Sequence, residues 1–167
     1  AQSLASRIAA APDGEVRLAF AAREGVCGDG RTFIRDRNRD DYISFEADDS
    51  HWKGRTRWRD RPCEDGPVRV ALKVRGGAVR SVRTYVGGAW STASGVTDLG
   101  TLAAARAPEA LLEIARDGKH PGGDDAIFPA TLADSVTAWP MLLRLARDRS
   151  APRDSRRSAV FWVSQAA

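Results

Sequence analysis

The sequence predicts an α+β fold: a small antiparallel β unit with a hairpin, followed by a layer of short helices. Three observations predict it. Val68, Val70, Leu72 and Val74 fall on one face of an extended segment. The pair Gly76-Gly77 follows and supplies the positive backbone angles of a two-residue hairpin turn. Beyond the loop at 91–98 every apolar pattern has helical spacing, so the chain divides into a β-rich unit at 1–92 and a helical unit at 97–167.

Each element has its own local cause. Ser3 caps a short helix that runs to Ala10, with Leu4 and Ile8 one turn apart on its apolar side. Pro12-Asp13-Gly14 ends it, and Val16, Leu18 and Phe20 then alternate with Arg17, Ala19 and Ala21 as a half-buried strand. The strand returning from Gly76-Gly77 spans Ala78 to Val86 but does not alternate simply. With Val79 opposite Val74, one extra residue near Arg80-Ser81 is needed to bring Val82, Thr84 and Val86 to the apolar face, which predicts a bulge there. Leu102 to Asp117 reads as one helix with Pro108 near its start and Leu111, Leu112, Ile114 and Ala115 as its stripe. His120 to Asp125 is a loop in which the two acids cap a second helix, from Ala126 to Ser135. Two more helices, separated by the breaker Ser150-Ala151-Pro152, complete the chain.

At 167 residues, 43% hydrophobic and 29% charged, the chain has the composition of an ordinary globular protein able to bury a core. No apolar run approaches the roughly 20 residues that span a bilayer. Ala1-Gln2-Ser3 has the form of a chain start left by signal peptidase, which predicts a mature, exported, periplasmic protein. The net charge of +4 is carried almost entirely by arginine, as GC-rich coding would give, and argues only weakly for an anionic partner. Cys27 lies in a glycine-punctuated turn and Cys63 between Pro62 and a second turn. In an oxidising compartment the pair reads as one disulfide, worth about 3–4 kcal/mol; two free thiols are the alternative. Neither cysteine has a second ligand at zinc spacing.

The last third of the chain resembles a HEAT repeat. Pro140 heads one helix, Leu142, Leu143 and Leu145 form its stripe, and Asp148 ends it. Asp154 with Arg156-Arg157 opens the next, and Ala159, Val160 and Val163 follow at core spacing. There is one such unit where an array needs about three, and Phe161-Trp162 is bulkier than the usual pattern. Gly25 to Gly28, Cys63 with Gly66 to Val70, Tyr85 to Gly88 and Val96 to Gly100 are similar to the amino-terminal part of exported bacterial HEAT-repeat proteins. That resemblance implies a cysteine-containing β domain ahead of the helices, a periplasmic location and a scaffold or adaptor role. A lone helix pair cannot bury its stripe, so the missing neighbour is either the amino-terminal half of this chain or another protein.

Two surface constellations invite function. Asp36, Asn38, Asp40 and Glu46 approximate the start of a calcium loop. Asp41 stands where glycine is needed, Glu46 is one position early, and arginines interleave, so a charged, self-paired hairpin is the competing reading. Arg55, Arg57, Arg59 and Arg61 alternate along one extended face with Trp58 between them, suited to an acidic protein surface unless they pair with nearby acids. Phe161 and Trp162 diverge by about 100° on a helix, so one of them is expected to stay partly exposed as a partner anchor. No nucleophile, phosphate-loop or dinucleotide motif occurs, and the sequence implies neither a catalytic residue nor a cofactor.

These readings predict a non-catalytic, exported interaction protein that docks on a larger, membrane-associated assembly and not on nucleic acid. An extrinsic subunit of a membrane complex fits, a photosynthetic reaction-centre and antenna complex being one candidate, although no pigment or haem motif is present. The alternatives are a periplasmic adaptor for a small anion or calcium, and a hydrolase without a recognisable motif.

Overall fold

A computed structural model describes residues 2–38, 42–44, 62–134 and 137–166. Helix α1, Leu4–Ala10, starts where the Ser3 oxygen accepts the Ser6 amide at 3.1 Å, and buries Leu4 and Ile8. Strand β1, Gly14–Phe20, follows with Val16, Leu18 and Phe20 turned to the core.

Among the described residues, seven strands form two sheets. Strands β2, Val26–Gly28, β3, Phe33–Asp36, and β4, Tyr42–Ser44, make a small antiparallel sheet in chain order. Strands β5, Val68–Arg75, β6, Ala78–Val86, and β7, Val96–Thr101, join β1 in the main sheet, ordered β6-β5-β1-β7. The β5–β6 turn has Gly76 at φ 59° and Gly77 at φ 72°, the two positive angles such a turn requires. Lys73 pairs with Ser81 but Val74 with Val79, so Arg80 is the extra residue. The bulge expected near Arg80-Ser81 is present.

The segment beyond 97 is not wholly helical. Strand β7 pairs in parallel with β1, with a register break between Arg17 and Ala19. Helix α2 is correspondingly short, Ala107–Arg116, with Pro108 in its first turn, where a missing amide proton costs nothing. The single helix expected from Ala126 to Ser135 is instead a 3₁₀ turn, Gly123–Ala126, and one turn of helix α3, Ile127–Ala130. It stops because Thr131 and Leu132 donate to the Phe128 and Pro129 carbonyls, after which the chain straightens to bridge β1's continuation. The Arg23 amide donates to Leu132 and the Asp134 amide to Ala21. Cys27 is the middle residue of β2 and not part of a turn.

Helices α4, Trp139–Arg147, and α5, Arg153–Ala166, form the carboxy-terminal pair. Leu142, Leu145, Ala159 and Trp162 belong to the same buried cluster as Val16, Phe20, Val70, Leu72 and Ile8. The stretches before and after residues 92–95 therefore share one core, and the helix pair finds its cover within the chain. Among the described residues no helix is long and apolar enough to cross a membrane.

The other face of the main sheet is closed by Trp90 and two arginines. Arg17 lies 4.7 Å from the Trp90 ring centre and Arg69 4.8 Å, a double cation–π contact. Arg17 also meets Glu15 and donates to the Ser91 carbonyl at 2.9 Å. Arg69 donates to the Gly87 and Gly30 carbonyls, both at 2.9 Å. These partners are what allow two guanidinium groups to be buried.

Candidate functional site

Among the described residues β6 is an edge strand of the main sheet, and a groove of about 440 Å³ runs beside it. Val82 to Tyr85 form one wall. Asp124, Asp125 and Phe128 from the 3₁₀ turn and α3, and Ser158, Phe161 and Trp162 from α5, form the other, with Arg31 also at its margin.

The aromatic wall has a cause in the helix period. Trp162 turns inward, is 8% exposed, and stacks on Phe128 with ring centres 4.9 Å apart. Phe161, about 100° round the helix, meets the Trp162 ring edge-on at 5.0 Å and is 53% exposed. The expected divergence of these neighbours is present. Trp139 and Val160 are also exposed, at 48% and 58%, outside the groove.

Bonds at both ends of the edge fix which backbone groups of β6 face outward. At one end, the Val79 amide donates to His120 Nδ1 at 3.0 Å, and its carbonyl accepts from Gly122. At the other end, the Val86 carbonyl accepts the Gly30 amide at 2.9 Å. Antiparallel strands alternate inward and outward groups, so Val82 and Thr84 share the outward phase of Val86. They lie in the open stretch between the two ends, and no hydrogen bond joins their outward groups to another described residue.

Charge is divided along the groove. Asp124 and Asp125 follow the Gly122 end, and Arg31 follows the Gly30 end. None of the three has an ion-pair partner among the described residues. Partial desolvation beside the groove, reinforced by Asp124, raises Asp125 above the ordinary carboxylate value. Neither acid caps the turn with its side chain, contrary to the capping role expected from sequence.

Compared with known proteins, the chain matches no family model, no curated protein and no solved structure.

The other expected site residues are dispersed. Cys27 and Cys63 form a disulfide, with Cα atoms 5.2 Å apart. Asp36 is buried and pairs with Arg23 at 2.8 Å, while its other oxygen accepts the Asn38 amide. Asn38 itself donates to the Glu24 carbonyl. Strand β4 pairs antiparallel with β3, with Tyr42 opposite Arg35, and Asp36 and Asn38 make the contacts just named. Asp40, Glu46, Arg55, Arg57, Trp58, Arg59 and Arg61 lie outside the described residues. Among the described residues no three acidic, histidine or cysteine side chains gather as a metal site.

Proposed function

We propose that this is a non-catalytic, exported interaction protein that docks onto a larger, membrane-associated assembly, as a HEAT-like accessory subunit would. The observation that carries the reading is the groove beside β6, where half-exposed Phe161 stands beside buried Trp162. An exposed aromatic braced by a buried one loses little side-chain freedom on contact, which suits it to anchor a partner. The disulfide supports export, because such bonds persist in oxidising compartments. The test replaces Phe161 with a photo-crosslinking phenylalanine analogue in the native source. A single, stoichiometric protein adduct is expected. A folded protein that gives no adduct and purifies alone would remove the docking role.

A further inference from the structure

The groove has the parts of a strand-addition site, and the inference drawn from them deepens the docking role above and rests on it. We propose that β6 receives an extended segment of the partner protein as a fifth strand. The segment carries an apolar side chain against Phe161, a basic residue toward Asp124–Asp125 and an acidic residue toward Arg31.

Three features select this occupant. First, Val82 and Thr84 present two amide protons and two carbonyl oxygens in the outward phase of a sheet edge. A peptide strand satisfies all four at once, whereas a docked helix has its backbone groups already bonded. Second, the edge is stopped at both ends. The His120–Gly122 loop takes Val79, and Gly30 takes Val86. The open stretch, Val82 to Tyr85, is about 13 Å long at strand spacing, which admits a segment of about four residues and excludes a long sheet-to-sheet joint between copies of this chain. Third, the charges are separated lengthwise, acids at the Val79 end and Arg31 at the Val86 end. A segment of like charge throughout meets repulsion at one end, and one of mixed charge is matched at both.

The test uses the acetylated, amidated peptide Lys-Val-Phe-Val-Glu as probe, with the intact, oxidised protein. Binding by fluorescence anisotropy is expected, with NMR shifts at the Val82 and Thr84 amides. Methylating alternate peptide nitrogens is expected to weaken binding about tenfold or more, because side-chain contacts remain while strand hydrogen bonds cannot form. The double variant Asp124→Asn with Asp125→Asn is expected to lose the preference for lysine over glutamine at the first position. Equal binding of the methylated peptide, or shifts that spare Val82 and Thr84, would overturn strand addition. Absence of peptide binding alongside a Phe161 crosslink to a native partner also overturns it and leaves the docking role standing. If both fail, both readings fall.

Discussion

His120 receives the Val79 amide through Nδ1 at 3.0 Å, and its Nε2 lies 4.0 Å from the Asp117 carboxylate. The ring must be neutral to accept at Nδ1, so its proton belongs on Nε2. Burial of the ring lowers its pKa below the usual histidine value; Asp117 opposes that shift and Lys119 adds to it. The unfolded chain therefore binds a proton near pH 6.5 and the folded one only at lower pH. Between these two points the unfolded state holds more protons, so stability is full above about pH 7 and falls as pH drops through the histidine range. His120→Gln should flatten that part of a urea-midpoint against pH curve relative to the parent protein. Phe161 and Trp162 make a second contrast between neighbours. Trp162→Ala should cost about 3–5 kcal/mol because its ring is buried against Phe128. Phe161→Asp should stay within about 0.5 kcal/mol in the same unfolding experiment, because that ring is half exposed.

The bulge in β6 and the loop after α2 are built for each other. A Cβ on Gly122 would lie 2.3 Å from the Arg80 carbonyl oxygen and 2.5 Å from its carbon, both backbone atoms that cannot swing aside. Gly122→Ala should therefore destabilise by about 2–3 kcal/mol, read as a lower denaturant midpoint, with the loss of exchange protection centred on Val79 to Ser81. This strand was legible because its two faces differ: a misplaced register would bury Arg83 and Tyr85, and only an extra residue avoids that. Strand β7 left no comparable trace. Val96 and Leu99 are its only large apolar residues, Gly100 has φ 73°, and its pairing with β1 is non-local. Short polar edge strands are held by backbone bonds to their neighbour, which a side-chain pattern does not record. Strand β2 is hidden in another way. It is three residues long, preceded by Gly25 and ending in Gly28, and its pairing with β3 lies downstream.

The groove was half legible. Helix geometry alone required that Phe161 and Trp162 diverge, while which of the two stays exposed is decided by the packing of Trp162 on Phe128. Their meeting with Asp124, Asp125 and Arg31 was not legible, because it depends on packing α5 and the 3₁₀ turn beside β6, which tertiary structure alone decides. The small sheet joins the common core through Val26 and Ile34, and polar contacts hold its rim. Gly28 and Glu64 exchange two backbone bonds of 2.9 and 2.8 Å, Arg37 pairs with Asp65 at 2.7 Å on the surface, and Arg23 links Asp36 to the Thr131 carbonyl. The covalent tie is Cys27–Cys63, which spans 36 positions of sequence. Its contribution is mainly the restriction it places on the unfolded chain, worth about 3–4 kcal/mol for a loop of this length. The double variant Cys27→Ser with Cys63→Ser should lose about that much stability, and the parent protein in reductant should match it. The folded form that remains should keep its β1, β5 and β6 amide protection, since the core under the main sheet does not include the bond. Protection should fall first at Val26 to Gly28 and Phe33 to Asp36. Equal denaturant midpoints for oxidised and reduced protein would mean that the hydrogen bonds and ion pairs around Gly28 already hold this sheet in place.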